Sequence, residues 1–377
     1  MAEPVPLFGV QRQAARLRPR LDARLAAVLD HGRFILGPEV EALEARLAEW
    51  AGGAAAGVAG AVGVGSGWDA LHIALAAEGV GPGDAVFAPA FTFSATADAV
   101  VARGAEPVFV DVDPETCNLS PAALEAAVAA VLAEGRLRVR AVIPVDLFGL
   151  PADYAGVCDA LHAAPEPVFI LADAAQSFGG EAGGRQVGAL APVTAFSFYP
   201  TKPLGAFGDG GAILADTEDR LARYRSIRNC GRGPDGLQHA ETGPTARLDT
   251  LQAAILLEKL DAFPEELARR RAIAARYDAA LAGRAAAPVG EGSAWALYTL
   301  QAEDRDGLRA RLSEAGIGSA VYYSRPLPEH PVYRRFAPPW PLPVSQRLSR
   351  SVLSIPIHGD LTDAEVDRVC AVLDAAL

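Results

Sequence analysis

The sequence predicts an α/β protein, with one large and mostly parallel sheet covered by helices on both faces and a smaller α+β domain after it. Three observations carry this. From about residue 60, short runs of Val, Ile, Phe and Ala alternate with helical stretches. Those runs are continuously apolar, which is how strands buried on both faces read. Past residue 281 the alternation stops, and short mixed elements and a proline-rich loop take over. In sheets of this kind the ligand binds at the carboxyl ends of the strands.

The elements follow in order. A strand is expected over 61–65 and a helix over 68–78; a strand over 85–89 and a helix over 95–103. Residues 107–112 read as a strand before a helix that opens at Ser120-Pro121, a capping serine ahead of a first-turn proline. Strands over 140–145 and 167–171 flank a helix over 152–162, and 194–198 and 211–214 complete the sheet. A long helical region over 249–281 is expected to be interrupted at Pro264, because proline lacks the N–H that an interior turn uses. Beyond it, 294–301 reads as a strand, 305–315 as a helix and 321–324 as a strand, and a last helix begins near Thr362. This divides the chain into a large domain over 1–262, with an N-terminal arm, and a small one over 263–377.

Composition narrows the function. The 377 residues are 51% apolar, which suits a large buried core. Thirty-four basic against 46 acidic residues leave a net charge of −12, so a nucleic acid is not an expected partner. Cys117, Cys158, Cys230 and Cys370 are widely spaced with no CxxC, which reads as free, buried thiols in a reducing, cytoplasmic setting. The N-terminus shows no apolar signal-peptide core, and the Ala/Gly run over 54–64 is too short to span a bilayer, so no membrane partner is expected. The six histidines show no paired ligand spacing, and no metal is expected.

Three features fall at strand ends. Gly65-Ser66-Gly67-Trp68-Asp69 joins a strand to a helix, where glycine admits close approach and the helix N-terminus offers N–H groups to an anion. Its alternative is a simple tight turn. The glycine spacing is GxGxG, not the GxGxxG of a nicotinamide-binding turn. Asp173 ends the apolar strand Ile170-Leu171-Ala172, a costly place for a carboxylate unless a positive group meets it or it caps a helix. Ser197 and Lys202 lie in FSFYPTKPLG, where Pro200 and Pro203 bracket the lysine and hold it on stiff, extended backbone. A reactive amine that must meet a cofactor at one angle needs such stiffening, and a solvated surface lysine does not. A strand-end Asp followed by Ser and Lys is the logic of pyridoxal phosphate: lysine for the imine, aspartate for the ring nitrogen, glycine N–H groups and serine for the phosphate.

At these residues the chain resembles the DegT/StrS-type sugar-nucleotide aminotransferases. The likeness runs through GPEV at 37–40, GSGWDALHIAL, PAFTFSATADAV, DAAQSFGG, FSFYPTKPLGAFGDGGAI, ARLDTLQAAILL, VYYSRPL and LSIPIHGDL, which covers nearly the whole chain. It implies the fold type I of pyridoxal-phosphate transferases, similar to aspartate aminotransferase. It also implies pyridoxal 5′-phosphate as cofactor, cycling through its pyridoxamine form, and L-glutamate as amino donor. By the same resemblance Lys202 is the Schiff-base lysine and Asp173 the ring-nitrogen partner. Gln176 contacts the 3′-oxygen and Phe93 stacks on the ring, while Gly67 and Trp68 amides with Ser197 hold the phosphate. A second subunit completes the site with the segment 243–247, which implies a homodimer with shared active sites. Within the family the chain looks most like the enzymes that aminate UDP-2-acetamido-2-deoxy-3-oxo-glucuronate for surface polysaccharides, with Arg247 pairing with the sugar carboxylate.

Three positions depart from the family pattern. Thr245 stands where an Asn usually reaches the partner's phosphate, Trp68 where a small hydroxyl residue is common, and Tyr322-Tyr323 where the subgroup often has His before Tyr. These bear on cofactor affinity and on which sugar is used, with Tyr322 and Tyr323 as substrate-binding candidates. A 4-keto-6-deoxy sugar nucleotide is the alternative acceptor. A non-catalytic pyridoxal-phosphate-binding regulator is a distant alternative, which would need a basic face that the acidic composition does not suggest. A dehydratase of the same fold would have histidine in place of Lys202.

Overall fold

A computed structural model describes residues 3–233, 235–281 and 290–376, so the outer limits of the two expected domains lie outside the described residues. Two helices lead in, α1 (Val10–His31) and α2 (Pro38–Trp50). The alternating region then gives β1 (Gly60–Val64), α3 (Gly67–Ala77), β2 (Asp84–Pro89), α4 (Ala95–Ala102), β3 (Glu106–Val110) and α5 (Pro121–Glu134). It continues with β4 (Arg138–Val142), α6 (Tyr154–Ala160) and β5 (Phe169–Asp173). A short hairpin, β6 (Glu181–Ala182) and β7 (Arg185–Gln186), precedes β8 (Val193–Ser197), β9 (Gly211–Ala215) and α7 (Glu218–Arg228). The strands expected in this alternating region are all present, to within about three residues at their ends.

The large sheet has the order β1-β9-β8-β5-β4-β2-β3, and β9 alone runs against the other described strands. Apolar residues leave both faces. On one, Val62, Val64 and Ile213 meet Leu71 and Ile73 of α3 and Leu221 and Tyr224 of α7. On the other, Ala61, Phe196 and Leu214 meet Val40 and Leu43 of α2 and Leu256 and Leu260 of α8 (Thr250–Leu281). The register brings three chain segments to one level. Ser197 and Val64 both lie opposite Gly211, and Asp173 lies opposite Ala195, two residues short of Ser197.

Two expectations fail. Helix α8 runs unbroken through Pro264. Its first half buries Leu256, Leu260 and Phe263 in the large core, and its second half buries Ile273, Ala274 and Tyr277 in a separate small core. At about 1.5–3 kcal/mol per buried large side chain, this outweighs the roughly 3 kcal/mol cost of an interior proline. The expected 262/263 boundary therefore falls inside one helix. Residues 321–324 are not a strand; Ala320 makes a single bridge to Ser354. The antiparallel pair beside it is β10 (Tyr298–Gln301) with β11 (Val352–Ile355). β10 starts later than expected because Trp295 has a left-handed φ of 50°, which a ladder does not accommodate. The small core is closed by α9 (Arg305–Glu314) and α11 (Asp363–Ala376), while α10 (Pro343–Ser351) packs against the large body.

Candidate active site

The strand tips open into a cavity of about 670 Å³. One wall is the start of α3. Ser66 caps it, its hydroxyl oxygen accepting the Asp69 N–H at 3.0 Å and donating to Asp69 Oδ2 at 2.8 Å. The N–H groups of Gly67 and Trp68 have no carbonyl within the helix to meet. A Cβ on Gly67 would lie 2.6 Å from Ser197 Cβ and 3.0 Å from its Oγ, so only glycine lets the helix end touch the tip of β8. The result is a cradle of backbone donors and one hydroxyl, suited to an anion. Trp68 adds an indole in place of a hydroxyl; it stacks on His72 at 4.8 Å.

Asp173 is only 5% exposed. Thr96 Oγ1 donates to its Oδ2 at 2.7 Å and the Ala175 N–H to its Oδ1 at 3.2 Å. Burial pushes this carboxyl up, against the pull of those two donors and of Lys202. Burial pushes the Lys202 amine down, and the Asp173 charge opposes it. Lys202 ends a turn, its N–H meeting the Tyr199 carbonyl at 2.9 Å, instead of lying on the extended segment that its prolines suggested.

The loop beyond is pinned from α8. A Cβ on Gly205 would lie 2.5 Å from the Pro200 carbonyl, so glycine allows the chain to fold back here. Lys259, 1% exposed, donates to the Gly205 carbonyl at 2.6 Å and sits 4.3 Å over the Phe207 ring. Gln252 Oε1 accepts the Phe207 N–H at 2.9 Å.

Gln176 is oriented by its neighbours. Its Oε1 accepts the Phe148 N–H at 2.8 Å, and its amide nitrogen donates to the Tyr323 hydroxyl at 3.2 Å. Phe148 reaches it from a left-handed backbone, φ 59°. Phe93, 57% exposed, lies 6.3 Å from Tyr323 at the mouth of the cavity, and Tyr322 lines it too. Beneath Asp173 lies Asp146, fully buried and pushed up to about 6 by burial. It accepts from Ser177 Oγ at 2.6 Å, Tyr154 Oη at 2.8 Å and the Ala152 N–H at 2.8 Å.

The family model of the DegT/DnrJ/EryC1/StrS aminotransferases matches residues 16–374. The chain belongs to this family. It is similar to the UDP-2-acetamido-2-deoxy-3-oxo-D-glucuronate aminotransferase of Pseudomonas aeruginosa, at 40% identity over 98% of this chain and 99% of that protein. A crystal structure of a DegT/DnrJ/EryC1/StrS aminotransferase from Brucella abortus superposes with a TM-score of 0.94 at 43% identity, covering 98% of this chain and 99% of that one. NtdA from Bacillus subtilis, solved with the bound cofactor PMP, superposes at 0.88 with 27% identity over 100% of this chain and 86% of that one.

In this aminotransferase chain the cavity brings together Gly67, Trp68, Phe93, Asp173, Gln176, Ser197, Lys202, Tyr322 and Tyr323. Thr245 and Arg247 are not among the described residues that line it. Thr245 is exposed, with its hydroxyl 3.2 Å from Cys230 Sγ, and Arg247 donates to Asn229 Oδ1 at 2.8 Å. Phe8, Thr96, Asp146 and Lys259 escaped the sequence reading. Thr96 lies within the PAFTFSATADAV segment, which was the available signal.

Proposed function

We propose that this aminotransferase moves an amino group from L-glutamate to a nucleotide-linked keto sugar, with a UDP-linked 3-keto uronate as acceptor, for surface-polysaccharide synthesis. The observation that carries the reading is the Lys202 amine and the buried Asp173 carboxylate facing one cavity, beside the Gly67–Ser197 cradle. The similarity to the Pseudomonas relative supports the acceptor.

Pyridoxal phosphate fits the residues present. The cradle that a Cβ at Gly67 would fill suits its phosphate, and a buried carboxylate suits its ring nitrogen. When bound, it supplies an electron sink for the bond-breaking at the donor's α-carbon. Gly67 and Trp68 N–H groups with the Ser197 hydroxyl hold the phosphate. Asp173 keeps the proton on the ring nitrogen, and Phe93 covers the ring face. Gln176, whose oxygen is taken by Phe148, offers an N–H to the 3′-oxygen. Lys202, biased toward its neutral form by burial, would take the α-proton as general base and deliver a proton to the cofactor's C4′ carbon as general acid. Thr245 and Arg247 serve the partner's site in a homodimer, Thr245 toward phosphate and Arg247 toward the sugar carboxylate. Tyr322 and Tyr323 wall the acceptor.

Cytoplasmic placement belongs to the proposal and is supported by the four free cysteines, although only Cys117 is buried as expected, Cys230 and Cys370 being half-buried and Cys158 exposed. Among the described residues no helix is long and apolar enough to cross a membrane.

The test is the visible spectrum of the purified protein before and after L-glutamate. A visible band that moves toward the near-ultraviolet on adding glutamate supports the donor half-reaction. A protein that stays colourless with added pyridoxal phosphate overturns the reading. A screen of 3-keto against 4-keto sugar nucleotides then decides the acceptor, and turnover of the 4-keto compounds alone overturns the 3-keto assignment.

A further inference from the structure

Lys202 also borders a second and much smaller chamber of about 30 Å³, whose described lining does not include Asp173. Phe8, Thr201 and Lys202 border both spaces and so form the partition between them. The far walls are polar: His358 and Arg270, 4% and 7% exposed, with Glu266 beside them.

Two nitrogens here have no hydrogen-bond partner in the protein, Nδ1 of His358 and Nε of Arg270. The other nitrogens fix their roles. His358 Nε2 faces the Pro6 carbonyl at 3.3 Å, so it carries the ring proton and leaves Nδ1 as an acceptor. Burial and the neighbouring Arg270 push the imidazole down to about 4, which keeps it neutral. Arg270 Nη1 is spent on the Trp295 and Ile357 carbonyls at 2.9 and 3.0 Å, and its Nε–H remains a donor. A buried donor and a buried acceptor on one small polar space match one water molecule, which needs roughly 10–15 Å³. Glu266 is already engaged by Gln13 and Arg16.

We propose that this chamber binds one water between Arg270 Nε–H and His358 Nδ1, and that this water is the solvent proton-exchange route for the Lys202 amine. The ammonium gives one proton to the water oxygen as the water gives one to His358 Nδ1. Reversal returns a proton to the amine with no net change of charge, and exchange of the water with bulk solvent completes the swap. Arg270 is thus a positioning residue and His358 a transient proton acceptor, and both roles rest on the proposed work of Lys202.

The test has two readings. In a crystal structure of the cofactor-loaded protein, a water bonded to both nitrogens is expected, and its absence overturns the site. In deuterated water with L-glutamate, the ratio of α-deuterium uptake to 2-oxoglutarate formed measures how fast the Lys202 proton meets solvent. His358→Leu is expected to lower this ratio about a hundredfold, the lower end of what one positioned proton-transfer partner contributes. His358→Asn, which keeps hydrogen bonds to the water but has no nitrogen basic enough to take its proton, is expected to show the same fall, and a restored ratio would overturn the relay through Nδ1. Should His358→Leu not fold, Arg270→Lys removes the Nε donor and is expected to give the same fall. An unchanged ratio in a variant with the wild-type visible spectrum overturns the route. A wild-type protein whose cofactor band ignores glutamate overturns the donor assignment instead, and the crystallographic water then decides the chamber.

Discussion

Thr96→Val isolates the electrostatics of Asp173. The substitution keeps the shape of a buried side chain and removes the 2.7 Å hydrogen bond to Oδ2. A hydrogen bond to a charged group contributes about 1.5–3 kcal/mol, and at 1.36 kcal/mol per unit its loss raises the Asp173 pKa by about one to two units. Asp173 already stands above its ordinary value because of burial, so the variant moves further in that direction. The sign for stability follows. A carboxyl whose folded pKa exceeds its unfolded one binds more protons when folded, so this group costs stability as pH rises through that window. Thr96→Val extends the loss to higher pH in the cofactor-free protein. In the proposed site the cofactor's ring nitrogen pairs with the ionised carboxylate, so affinity is expected to fall with the ionised fraction. The expected deficit is about ten- to hundredfold on the acid side, closing as pH rises past the variant's pKa. Titration of the visible band with pyridoxal phosphate from about pH 5 to about pH 9 reads it, a range that brackets ordinary and raised carboxyl values. A deficit that does not change with pH would mean Thr96 acts by packing alone.

Other outcomes test separate links. Lys202→Ala is expected to abolish turnover in a folded protein, and full activity there removes the lysine from the mechanism. Gly67→Ala places a methyl 2.6 Å from Ser197 Cβ; overpacking costs about 1–3 kcal/mol, so cofactor affinity should fall about ten- to hundredfold, as read by equilibrium dialysis. Lys259, pushed down to about 8 by burial, binds its proton more weakly folded than unfolded, so wild-type stability should rise with pH from about 8 toward its unfolded value. Lys259→Met should remove that rise, at most about 3 kcal/mol in urea unfolding, and a retained rise assigns it elsewhere. Hybrid dimers of Lys202→Ala with Arg247→Ala chains should regain activity that neither homodimer has, because one site is then intact; no recovery refutes the shared site.

The residues that were legible in the sequence share a physical reason. Asp173, Ser197 and Gly67 stand where a buried strand meets a turn, and a polar or small residue there breaks a local rule. Lys202 did so among aromatics and prolines. Thr96 broke no rule: a threonine near a helix start is ordinary, and its bond to Asp173 spans 77 positions. Lys259 lies inside a helix where lysine is a good former, and nothing local marks it as buried. Phe8 comes from the chain's first segment and meets the cavity only through the tertiary fold. The proline rule failed at 264 for the converse reason, since a local cost was outvoted by burial on both sides of it.

That failure explains more than one helix. Because α8 does not break, a single rod reaches from the loop behind Lys202 to the small core. Its first half holds that loop through Gln252 and Lys259. Six residues past Pro264 the same rod carries Arg270 to the carbonyls of Trp295 and Ile357, and Ala296 and Leu297 next in the chain line the cavity. Helix α1 braces the join, with Arg16 bound to both Glu266 and Asp360. A bend at Pro264 would let the lysine loop and the small-core wall of the cavity move independently. Continuity instead fixes the amine and the opposing wall to one frame, which is what the proposed proton transfer by Lys202 requires.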